Sequence, residues 1–157
     1  MRGKFIGTVA LIGLLVMTLD VRAASDVRCE VLTIKASKTK QGGIDKGLGR
    51  YSAIFGQPPF AEFNTFKLVK RKEYPMKLKS PVSLELPSTI KGSLRLRGEK
   101  QGQFMLTLAL VRKGGGPIEI DGRASPRTPF FAAGYAIPKG GVWVFGVHCN
   151  RVGIVTY

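Results

Sequence analysis

Histidine occurs once in these 157 residues, tryptophan once and cysteine twice, and only ten residues are acidic. Each scarcity excludes a class of chemistry. A zinc or iron centre needs several His, Cys or carboxylate ligands close together, so neither a metal site nor a cofactor is expected. A calcium loop needs clustered Asp and Asn, and the chain has no such cluster. Glycine is plentiful, but neither Gly42-Gly43 nor Gly114-Gly115-Gly116 is followed by the Gly-Lys-Ser/Thr of a phosphate loop. Beyond residue 23 no apolar run approaches the roughly twenty residues of a membrane-spanning helix.

Catalytic constellations are equally sparse. His148 is the only histidine that could serve as a general base. Alternation along its strand puts it on the face opposite Trp143, Phe145 and Val147, a placement typical of a structural or solvent-facing histidine. Glu119 and Asp121 lie two apart on a strand and share a face, as a glycosidase carboxylate pair requires. That spacing is also ordinary on any solvated strand. No catalytic residue is assigned, and the chain is read as a non-enzyme.

What the chain does carry is an export signal. Met1-Arg2-Gly3-Lys4 supplies positive charge, and Phe5–Leu19 is an apolar run broken only by Gly and Thr. Val21 and Ala23 then fit the small-x-small rule for cleavage after Ala23. An uncleaved N-terminal anchor is the alternative. A lipoprotein signal does not fit, because Asp26-Val27-Arg28 before Cys29 lacks the small apolar residues of a lipobox. The expected organisation is a signal peptide at 1–23 and one domain at 24–157, periplasmic or secreted.

The leader takes three of the 25 cations and one of the ten acids with it. That leaves 22 basic and 9 acidic residues, a net charge of +13. Solubility alone asks for a magnitude of roughly 2–8 in a small domain. The excess favours anionic partners: lipid head groups, glycans or an acidic protein. Cys29 and Cys149 both survive cleavage. In an oxidising compartment an even pair reads as a disulfide, which would bring the first and last strands together. Two buried thiols, or a reactive Cys149 beside His148, are the alternatives.

Strand patterns dominate the rest. Cys29–Ala36, Phe63–Arg71, Met76–Lys79, Val82–Leu86, Ser93–Arg97, Phe104–Arg112, Ile118–Ala124, Phe130–Ala136 and Val142–Cys149 all read as strands. Phe104–Arg112 is apolar on both faces and should lie centrally in a sheet. Ile154–Tyr157 is a last strand or a frayed tail. Asp45 is placed to cap a short helix ending at Gly56, with Ile44, Leu48, Tyr51 and Phe55 on one face. Short alternating strands between Gly and Pro breakers indicate an all-β, single-domain β-sandwich with one short helix after the first strand.

Three of these strands alternate apolar and basic residues. Phe66 and Leu68 oppose Lys67, Met76 and Leu78 oppose Lys77 and Lys79, and Leu94 and Leu96 oppose Arg95 and Arg97. If they share a sheet, Lys67, Lys77, Lys79, Arg95 and Arg97 form a cationic face with Lys70, Arg71 and Lys72 at its rim, suited to salt-sensitive anion binding. The competing explanation is protection of exposed strands against edge-to-edge pairing. Aromatic residues on these strands fall on the inward parity, so nucleic acid is not the expected partner.

The strand VLTIKASK, then Gly42-Gly43-Ile44-Asp45, a short helix and the Phe-x-x-Phe-Lys-Leu strand of Phe63–Leu68 resemble a group of small exported bacterial proteins. Leu94-Arg95-Leu96 and the Gly-Gly-Val strand from Gly140 are similar too. The resemblance implies a compact β-sandwich and no activity; the cysteine pair departs from the group. The functional expectation is a non-catalytic exported binding or accessory domain with a basic sheet face. The alternative is a structural subunit of an envelope or secretion assembly.

Overall fold

In this computed structural model, residues 27–138 and 140–153 are described. The expected signal peptide and the expected strand at Ile154–Tyr157 lie outside them. Among the described residues, nine strands form two sheets. β1 (Val27–Ser37), β2 (Gly43–Ile44), β3 (Thr65–Met76), β8 (Phe130–Ala136) and β9 (Val142–Arg151) make the first, in the order β2-β3-β1-β9-β8. β4 (Pro81–Leu84), β5 (Ile90–Lys100), β6 (Gln103–Arg112) and β7 (Pro117–Ala124) make the second, in that order. The chain is all-β with one short helical segment, as its pattern predicts.

The two sheets face each other across a core built by alternation. Leu94 and Leu96 of β5 and Phe104, Leu106, Leu108 and Leu110 of β6 point inward, against Cys29, Val31, Phe145 and Val147 of the first sheet. β6 lies between β5 and β7, the central position expected for it. Cys29 and Cys149 are directly opposite each other on paired antiparallel strands, and they are bonded. The bond spans 120 residues of chain.

The first sheet is buried on its other face as well. Asp45 accepts a hydrogen bond from the Gly47 backbone N–H and caps a 3-10 segment, Lys46–Tyr51, which runs into the single helical turn α1, Ser52–Phe55. Leu48, Tyr51 and Phe55 pack down onto Leu32, Ile34, Ala36, Phe66 and Val144, forming a second core. Phe55 stacks on Phe66 with ring centroids 4.2 Å apart and meets Phe131 edge-on at 5.5 Å. Gly146 has to be glycine here, because a Cβ would come within 2.6 Å of the Phe131 ring. Covering both faces explains why Val31, Leu32, Thr33 and Ile34 are buried in succession and do not alternate.

The helix begins and stops where its cap and glycine predict, but Ile44 belongs to β2 and is exposed, leaving Leu48, Tyr51 and Phe55 as the packed face. β3 runs on to Met76, past the expected end at Arg71. Lys77–Lys79 is a connection and not the end of a separate strand: Leu78 makes only an isolated bridge to Leu96, and Lys79 takes a left-handed φ of 64°.

Removing the cross-link frees a long loop in the unfolded chain, and a ~100-residue loop is worth up to about 4.7 kcal/mol in the chain-entropy model. The Cys29→Ser/Cys149→Ser variant should lose about 4 kcal/mol of stability, read from denaturant midpoints. Wild-type protein measured in reductant should fall to the same midpoint.

Candidate anion-binding site

The second core covers only part of the outer face of the first sheet. β1 changes character between Glu30 and Leu32, and the apolar rows under the helix give way to polar ones. In register across β3, β1 and β9 lie Glu73, Glu30 and His148. The next row holds Pro75, Arg28 and Asn150. Arg71 comes from the row of Leu32, and Arg50 hangs from the 3-10 segment at the boundary. All of these side chains except that of Pro75 line an open depression of about 400 Å³.

Glu30 organises the depression. Arg50 Nη2 donates to Glu30 Oε2 at 3.2 Å, and Arg71 Nε lies 3.4 Å from Oε1. Arg71 Nη2 also donates to the Gly47 carbonyl at 2.9 Å. Both guanidiniums are thereby held in place while keeping unused N–H donors. Arg28 and Glu73 are exposed and bond to no described side chain. His148 Nε2 lies 2.5 Å from the Pro126 carbonyl oxygen. A carbonyl only accepts, so Nε2 carries the proton in this arrangement. The disulfide sits beneath: Cys29 precedes Glu30, Cys149 follows His148, and their bond fixes the two strands that carry the site.

Arg50 and His148 also line a smaller adjoining hollow with Tyr51, Ile54, Pro126 and Arg127. Tyr51 is 5% exposed and its hydroxyl has no hydrogen-bond partner. The Arg50 guanidinium lies over the ring, 4.7 Å from its centroid. Burial raises the Tyr51 pKa above the usual tyrosine value, against the lowering effect of Arg50; the Glu30 charge raises it further. Tyr74 is raised as well, chiefly by burial.

Six of the cations singled out from the sequence, Lys67, Lys70, Lys77, Lys79, Arg95 and Arg97, do not form one face. Their shared-sheet premise fails because β3 belongs to the first sheet and β5 to the second. Lys67 and Lys70 lie on β3, which β2 pairs only at Thr65 and Phe66, so beyond them β3 is an edge strand. Lys70 and Lys72 there both bind Glu85. Arg95 and Arg97 are exposed on the second sheet, and Lys77 and Lys79 join them at its β4 edge, where Lys79 N donates to the Leu96 carbonyl at 2.7 Å and Arg95 pairs with Pro81. Arg97 is already paired with Asp121 at 3.2 Å. Four of the six therefore gather and two stand apart.

Asp121 also accepts from Thr107 Oγ1 at 2.7 Å, so each of its oxygens is engaged within the protein, and nothing sets it up as a partner for Glu119. Among the described residues no group of three His, Cys, Asp or Glu is placed to hold a metal ion, and no helix is long and apolar enough to cross a membrane. Sequence reasoning overlooked Arg28 and Arg50 and placed Arg71 only at the rim of a different face, because the three come from separate elements. The one available signal was the Arg-Cys-Glu and His-Cys-Asn pattern around the cysteines. No protein-family model, curated protein or solved structure matches this chain.

Tyr51→Phe should cost almost nothing at pH 7, since the hydroxyl bonds to nothing. A tyrosine whose folded pKa is raised gives stability that is complete below about pH 10 and is lost as pH climbs through the folded value. The variant should therefore lose less stability than wild type between neutral and strongly alkaline pH, measured by denaturant melts along a pH series.

Proposed function

We propose that this chain is an exported, non-catalytic binding domain that holds an anionic group of its partner in the depression on the outer face of the first sheet. The observation that carries this reading is the convergence of Arg28, Arg50 and Arg71 with His148 around one hollow, with Glu30 orienting two of the three guanidiniums. Guanidiniums match carboxylate and phosphate oxygens in paired hydrogen bonds. Holding them in advance lowers the ordering cost of binding. Arg28, with no acid bound to it, is the group most ready to meet an incoming anion.

The charge excess of the chain supports the same reading, since it draws polyanions toward the surface at long range. Both oxygens of Glu30 face arginines, which suits a positioning role better than proton transfer. Export is supported by the sequence of the leader and by the disulfide, a bond that persists in oxidising compartments. The lysines of the β3 edge, together with Pro75, discourage strand addition there. That counts against the alternative of an assembly subunit joined through this edge.

Retention on immobilised heparin, eluted with a salt gradient, tests the site. Arg28→Gln should weaken binding about tenfold, equivalent to ~1.4 kcal/mol, and flatten the salt dependence. Lys77→Gln/Lys79→Gln/Arg95→Gln/Arg97→Gln should change retention less than Arg28→Gln does, despite removing four charges. The reverse order would place binding at the β4–β5 edge and sink the depression as the site. Glu30→Gln should keep the fold, at a cost of about 1 kcal/mol for these partly exposed pairs, and weaken binding by releasing Arg50 and Arg71.

A further inference from the structure

At the far end of β1, on the face turned toward the second sheet, the charge pattern is of a different kind. Lys67, Lys35 and Trp143 lie in one row across β3, β1 and β9. Directly opposed side chains on antiparallel strands sit roughly 5 Å apart at Cβ, and like charges so placed repel. No described acid bonds to either lysine. Further along the same face Lys70 and Lys72 face Thr33 and Val31, and both are neutralised by Glu85. Protection of the sheet edge accounts for the lysines of β3, but Lys35 is one strand in from that edge, where such protection asks for no charge.

Trp143 forms one wall of a cleft of about 270 Å³, with Ile90 and Tyr135 as further apolar lining and Arg112 and Lys113 at its border. Tyr135 is fixed: its hydroxyl lies 2.8 Å from the Gly116 carbonyl and 3.1 Å from that of Leu110, shared between the two. Arg112 lies over its ring, 5.2 Å from the centroid. The cleft therefore combines a rigid aromatic wall with two cations at its border, Arg112 and Lys113. Lys35 and Lys67 continue the row of Trp143 outside the cleft, on the side away from β8. No acid lines the cleft.

We infer that this cleft is a second binding site, for an acidic sugar unit of an anionic polysaccharide, with the ring against Trp143 and its carboxylate or sulfate at Arg112 and Lys113, and with the next acidic units of the same chain passing over Lys35 and Lys67 beyond Trp143. The size of the cleft suits one ring and not an acyl chain. Single-stranded nucleic acid is bound by stacking successive bases on several exposed aromatics. Here Tyr135 is buried, and Trp143 is the aromatic left partly open. Mixed-sign side chains line the arginine depression, whereas this cleft has cations alone, and the two sites use different residues.

Trp143 is the sole tryptophan of the chain, so its fluorescence reports directly on the cleft. The disulfide-bonded protein without its leader is titrated with an oligogalacturonate, an uncharged dextran oligosaccharide, an oligo(dT) and phosphatidylglycerol vesicles. The oligogalacturonate should change the emission saturably, and the other three should leave it unaltered. Lys35→Gln/Lys67→Gln should weaken that response about tenfold, and Arg112→Gln/Lys113→Gln, on exposed residues, should weaken it independently. Arg28→Gln should leave it intact, which separates this cleft from the arginine depression whichever of the two fails. Unchanged emission with the acidic sugar, an equal response to dextran, or a stronger response to oligo(dT) or vesicles would overturn the inference.

Discussion

The antiparallel pairing of β1 with β9, cross-linked at Cys29 and Cys149, is the constraint on which the rest of this structure depends. It joins the two ends of the described chain at the centre of the five-stranded sheet, where the inner face and part of the outer face are covered. On the inner side it supplies Val31, Phe145 and Val147 to the core between the sheets. On the outer side it supplies Leu32, Ile34 and Val144 to the core beneath the helical segment. Such long-range pairing carries a large closure entropy. A covalent bond at the pairing site removes much of that entropy from the unfolded chain.

The same strand pair positions both candidate sites, at its opposite ends and on its opposite faces. Near the start of β1, Glu30 and His148 lie next to the bonded cysteines and point away from them. At the other end, Lys35 and Trp143 are neighbours in register. Polar groups sit on a central pair of strands only where a covering layer stops. The helical segment ends at the boundary with the arginine depression, and the second sheet leaves room beside Trp143. Binding surfaces placed on paired, cross-linked strands are held more firmly than loop sites, which favours recognition by preset geometry.

The limits of sequence reasoning here have specific physical causes. Alternation located the middle of β5 because one face of the second sheet meets solvent and the other the core, whereas β6 was marked by apolar residues on both faces. The same rule of alternation set Phe66 and Leu68 inward, and both pack into a core, but that core lies beneath the helical layer and not between the sheets. A pattern of period two states that two faces differ, and it is silent about what covers each. The expectation of a single cationic face failed for a related reason. Local alternation in β3 and β5 is equally consistent with one sheet or two, and the chain divides them between two.

By itself, the sequence determined the class of the fold, the cap and stop of its helix, the pairing of its two cysteines and the positive sign of its own net charge. These are local or compositional properties: a residue pattern within ten positions, or a count over the whole chain. The tertiary structure alone decided which cations converge. Arg28, Arg50 and Arg71 are brought to Glu30 from β1, the 3-10 segment and β3, and Lys35 is set against Lys67 and Trp143 by strand register. Register and sheet membership arise from contacts distant along the chain, and no local pattern encodes them.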